Sequence, residues 1–127
     1  MTTLDIGVYV PQMGFTYSDV LHRALRCEEL GIGSVWLYDH MYGPGAPTVP
    51  SLEAWTLATA LLARTERLRV GHMVLCNQFR HPAVLANMVT TLDQISGGRI
   101  ELGLGSGSIP DEHHRMGLPW GTFRDRS

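Results

Sequence analysis

Asp39 and His40 are the most reactive neighbouring pair in the chain. Histidine changes charge near neutral pH and suits proton transfer. The same pair is also compatible with a histidine that only hydrogen-bonds loop backbone. Gly103, Gly105 and Gly107 alternate along Gly-Leu-Gly-Ser-Gly, where missing side chains would let backbone N–H groups approach a phosphate or a ring. The spacing is not GxGxxG, so a tight turn after a strand explains it equally well. Asp111, Glu112, His113 and His114 offer metal-ligating types, but adjacent histidines diverge and no HExxH spacing is present; a solvated loop is the better reading. Arg80-His81-Pro82 puts an arginine where a helix begins, and an ordinary salt bridge there outweighs an anion site. Cys76 has nothing nearby in sequence that would lower its pKa, and Trp36, Trp55 and Trp120 read as packing residues.

Those residues need elements to carry them. The chain has 127 residues, 44% hydrophobic and 17% charged, with formal net charge −2. This is the composition of one soluble domain able to bury a core, taken as a single unit over 1–127. Ten cationic against twelve anionic residues leave no basic footprint for nucleic acid. No apolar run approaches the roughly 20 residues that span a bilayer. The opening MTTLDIGVYV lacks the regions of a signal peptide, and two cysteines far apart give no disulfide framework, so a cytoplasmic protein is expected. All ten cations are arginine, which excludes lysine Schiff-base chemistry and a Walker-type phosphate loop within the chain.

Apolar patterning predicts strands at 4–10, 34–38, 68–75 and 99–104. Helices are predicted at 18–30, capped by Ser18 or Asp19, at 51–65, capped by Ser51, and from Pro82 to Gly97-Gly98. A glycine- and proline-rich loop is expected at 39–50 and an irregular tail from about 108. The order βαβαβαβ implies a parallel sheet, either a doubly wound open sheet or part of a (βα)8 barrel. A whole barrel takes about 250 residues, so this length supplies about four strands and three helices, the N-terminal half. Ligands of either fold collect at the carboxyl ends of the strands, here Val10-Pro11-Gln12, Asp39-His40, Leu75-Cys76-Asn77 and Gly105-Ser106-Gly107.

The segment LRVGHMVLCNQFRHPAVLANMVTTLDQISGGRIELGLGSGSIPDEH, with Asp39-His40 after SVWLY, closely resembles the luciferase-like oxidoreductases, the bacterial luciferase superfamily. It is most similar to members that use the deazaflavin coenzyme F420. The resemblance implies the first half of a (βα)8 barrel, with the deazaflavin, or alternatively FMN, at the strand ends. It places Asp39 beside the ring and makes His40 the proton donor or base. It puts a non-prolyl cis peptide at Met73-Val74, runs Cys76 and Asn77 along the ring and its ribityl chain, and borders the pocket with Gly105, Ser106 and Gly107. The implied reaction moves a hydride between cofactor and a small organic substrate, or oxygenates that substrate with reduced FMN. Because strands 5 to 8 have no counterpart here, such half-barrels are expected to pair as homo-oligomers through exposed sheet edges. The alternative is a catalytically inactive, truncated form that holds a cofactor or a partner.

Overall fold

A computed structural model of the protein describes residues 4–126; residues 1–3 and 127 of the expected 1–127 unit lie outside the described part. The elements run β1 Gly7–Tyr9, α1 Tyr17–Glu29, β2 Ser34–Leu37, β3 Tyr42–Gly43, β4 Ala46–Pro50 and α2 Ala54–Leu62. They continue with β5 Arg69–His72, β6 Leu75–Cys76, α3 Pro82–Ser96, β7 Ile100–Glu101, β8 Leu104–Gly105, α4 Pro110–Arg115 and α5 Phe123–Arg126. No helix among the described residues is long and apolar enough to cross a membrane.

The main sheet is parallel in the order β1-β2-β5-β7, with Tyr9 beside Trp36, Trp36 beside Gly71, and Gly71 beside Glu101. Space follows chain order without reversal. A doubly wound sheet reverses at a switch point, so that alternative is excluded and the strands stand as in one side of a barrel. The expected third strand is broken in two: β5 ends at His72, the Met73–Val74 peptide is cis, and β6 then pairs with β8, Leu75 to Leu104 and Cys76 to Gly105.

The helices pack on one face of this sheet. Val35, Leu37 and Val70 meet Val20, Ala24, Leu57, Ala58, Leu61, Leu62, Leu85 and Leu92 in a single buried cluster. The opposite face is flat because glycine flanks Trp36. A Cβ at Gly7 would lie 2.6 Å from the indole Nε1, and one at Gly71 would lie 2.5 Å from Cζ3.

Several boundaries differ from expectation for local reasons. The α1 cap is Thr16, in a reciprocal capping box with Asp19. The α2 cap is Glu53 rather than Ser51, its carboxylate accepting from the N–H groups of Trp55 and Thr56. Pro82 does open α3, and Gly97, at φ 66°, closes it in the left-handed region. Residues expected as loop contain the antiparallel β3–β4 hairpin. The tail expected to be irregular contains α4 and α5; Pro110 at the first turn, Asp111 and Glu112 after it, and Arg115 in the last turn suit the helix dipole.

Candidate functional site

The carboxyl ends of β2, β5, β6 and β8 converge, with α4 laid across them, on a cleft of about 210 Å³. Asp39, His40, Met73, Val74, Cys76, Gly105, Ser106 and Gly107 all line it, so eight of the nine residues that the resemblance assigns to the site come together. Asn77 does not. It lines an apolar depression with Leu85, Leu102 and Leu104, and its amide donates to the Arg126 carbonyl. Side chains alternate along a strand: Cys76 takes the cleft side, so its neighbour Asn77 turns away.

Asp39 holds the wall of the cleft together. Its carboxylate accepts from Arg80 Nη1 at 2.6 Å and Nη2 at 2.9 Å, and from the Cys76 N–H at 2.9 Å. Arg80 also pairs with Glu53, the α2 cap. The salt bridge expected at the start of α3 therefore exists, and it ties α3 to the ends of β2 and β6 and to α2. Burial works against the Arg80 charge, but the hydrogen bonds and charges of Asp39 and Glu53 raise its pKa.

His40 is held by Glu112. Nδ1 lies 2.9 Å from Glu112 Oε2, while Oε1 accepts from the Met41 N–H at 2.6 Å. The His40 side chain is 23% exposed and that of Glu112 only 2%. Next to them, His113 Nδ1 lies 3.1 Å from the Ile109 carbonyl, which can only accept, so Nδ1 carries the proton. Its Nε2 then accepts from the Cys76 thiol across 3.5 Å, and burial pushes that thiol's pKa up. Cys76 is a packed thiol donor.

These contacts correct two expectations. Asp111–His114 is not a solvated loop: Glu112 and His113 are buried on the face of α4 that closes the cleft, while Asp111 and His114 point outward. The glycines are also not bare cradles, since the protein fills their missing side chains. A Cβ on Gly105 would meet Val74 Cγ2 at 2.5 Å, and one on Gly107, at φ +79°, would meet His113 Cε1 at 2.9 Å. The sequence reading missed Tyr38, Phe79, Ser108, Glu112 and His113 as cleft residues. For the last two the signal was the Pro-Asp-Glu…Arg pattern of a short helix, whose inner face takes Glu112 and His113 while Asp111 and His114 on either side stay exposed.

The geometry fits a flat, mostly apolar ring with one polar edge. Met73 and Val74 are 56% and 44% exposed, an apolar surface that nothing else in the described residues covers, and the His40 imidazole and the Gly105–Gly107 backbone share that cleft.

Comparison with known proteins identifies the family. The family model for luciferase-like monooxygenases matches residues 1–127. The chain is 36% identical, over 97% of its length, to an F420-dependent glucose-6-phosphate dehydrogenase of Amycolatopsis mediterranei, and 30% identical, over 91%, to a limonene 1,2-monooxygenase of Rhodococcus erythropolis. Among solved structures it superposes on an F420-dependent secondary alcohol dehydrogenase in complex with an F420–acetone adduct, with TM-score 0.85, 28% identity and 98% of the chain covered. An FMN-bound type II Baeyer–Villiger monooxygenase from Pseudomonas putida, at 22% identity and TM-score 0.81, shares the fold. The chain spans 37% of the first relative and 38% of the first structure. It belongs to the luciferase-like monooxygenase family, and its strands are the N-terminal part of that barrel.

Proposed function

We propose that this luciferase-like chain serves an oxidoreductase that moves a hydride between F420, or alternatively a reduced flavin, and a small organic substrate. The observation that carries the reading is the strand-end cleft, where an exposed apolar surface at Met73–Val74 meets a single imidazole anchored from behind. When bound there, the deazaflavin supplies a two-electron hydride carrier, whereas FMN would add oxygen chemistry. Met73 and Val74 would give the ring an apolar seat and exclude water. The Gly105–Gly107 backbone would border it. Asp39, with both oxygens engaged, shapes the wall rather than reacting. His40 takes the proton from a substrate hydroxyl, or returns it, at Nε2, the ring nitrogen that Glu112 leaves open.

The cleft of about 210 Å³ falls short of the roughly 300–1,000 Å³ of a complete small-molecule site, so further walls are required. Pairing of copies as a homo-oligomer would supply them. β1 and β7 each have a neighbour on one side only in the described sheet, and Ile6, Leu102 and Leu104 are 50%, 46% and 54% exposed beside those edges. Both cysteines are unbridged, as a reducing cytoplasm would keep them. The shallow cleft also favours a second reading, a catalytically inactive module that only holds the cofactor or a partner.

Native mass spectrometry of the chain with F420 or FMN added, followed by a screen of alcohols for hydride transfer, tests this. The expected result is an even-numbered assembly that retains F420 and reduces it with an alcohol. Retention without turnover would favour the holding module, and a bare monomer under both additions would overturn both readings.

A further inference from the structure

Glu112 sits on α4 with its side chain almost fully enclosed, and its two oxygens do different work. The Met41 N–H can only donate, so Oε1 must accept there. That leaves one proton to be placed between Oε2 and His40 Nδ1, 2.9 Å apart. An ionised carboxylate can only accept, so the proton of this hydrogen bond resides on Nδ1. In the neutral ring the lone pair is then on Nε2. Two contacts hold α4 in place for this: His113 hydrogen-bonds Cys76 at the end of β6, and Tyr42 reaches Asp111. The Tyr38 ring, 5.3 Å from the imidazole and tilted by 50°, restricts the ring's rotation.

We propose that Glu112 is a positioning residue that fixes the tautomer of His40, making Nε2 the proton-accepting atom of the cleft. The tautomer follows from the hydrogen bonds alone, while its part in turnover rests on the oxidoreductase reading above.

Glu112→Gln separates geometry from proton placement. The amide has nearly the volume of the carboxyl, and its oxygen can keep the Met41 N–H. Its NH2 then faces Nδ1 as a donor, which forces the neutral ring to carry its proton on Nε2. The reverse amide orientation would set two donors against each other at Met41. An Nε2 that already bears a proton accepts none from a substrate hydroxyl. The variant therefore lowers kcat for alcohol oxidation by about 10²–10⁴-fold, the usual share of a correctly set general base, with KM little changed.

Long-range 1H–15N correlation spectra of the 15N-labelled chain test the assignment without any cofactor, with the His40 signals identified by their loss in His40→Gln and the pH kept where the ring is neutral. The expected result is an Nδ1–H tautomer in the wild type and an Nε2–H tautomer in Glu112→Gln. An Nε2–H ring in the wild type overturns the proposal, even if the variant fails to fold; so does the same tautomer in both. Where the tautomer reverses but kcat in an active assembly does not fall, its role in proton transfer is overturned. Where it reverses and no assembly binds F420, the oxidoreductase reading fails and the assignment of Glu112 stands.

Discussion

The two ends of the sheet use the same chemistry in opposite surroundings. At the amino end Arg69 pairs with Asp5 and Glu101, and the three side chains are 39%, 59% and 37% exposed. At the carboxyl end Arg80 pairs with Asp39, and they are 11% and 3% exposed. Water screens the first cluster and can replace either partner. The second has almost no water to fall back on, so each charge depends on the other, on the Cys76 N–H and on Glu53. The most enclosed charges, Asp39 and Glu112 at 3% and 2%, lie at the carboxyl end beside the cleft, which is where parallel βα folds bind ligands.

That contrast can be broken by substitution. Arg80→Leu strands a buried Asp39 carboxylate and is expected to cost about 3–5 kcal/mol, read as a fall in the urea midpoint. A loss below 1 kcal/mol would mean that the two ends do not differ.

A smaller effect comes from Glu28, at the end of α1, an amino-end carboxylate with a concentrated donor set. It accepts from the N–H groups of Glu66, Arg67 and Leu68 at 2.9, 2.6 and 2.8 Å. Burial works to raise its pKa, but those N–H groups and the Arg67 charge together pull it below the ordinary glutamate value. A carboxyl depressed in the folded state adds stability that is complete above its unfolded pKa, about 4.3, and lost as pH falls through the folded value. Glu28→Gln is therefore expected to cost about 1 kcal/mol at pH 7. Its difference from wild type should shrink in denaturation curves taken below about pH 4, and a difference independent of pH would refute the donor assignment. Arg69→Ala, in the screened cluster, is expected to cost least, about 0.2–1 kcal/mol, and less still in high salt.

The same contrast explains what could be read from the sequence. The parallel sheet follows from the alternation of apolar runs, and Pro82 and Gly97 mark α3 through backbone geometry alone. Asp39, His40 and the Met73–Val74 turn were placed through resemblance to a family, and the cleft does gather them. Hidden from sequence was whatever depends on a distant partner. Glu112 reads as a solvated acid until α4 docks and places it against His40, 72 positions away. Asp39 was placed in the cleft by resemblance, but its partner Arg80, 41 positions on, was not legible as the group that engages both of its oxygens. Asn77 lies outside the cleft for a local reason, the alternation that sends Cys76 inward.

The most direct test is a fluorescence titration of F420 into the wild type, Arg69→Ala and Met73→Trp, in whatever assembly the protein forms. Met73 is 56% exposed in the cleft, so an indole there occupies the ring's seat without opening the core. Saturable binding to the wild type, unchanged in Arg69→Ala and weakened at least about tenfold in Met73→Trp, an effect of about 1.4 kcal/mol, is the expected result. No binding to the wild type, or equal binding to all three, would contradict a cofactor site at the carboxyl end of the sheet.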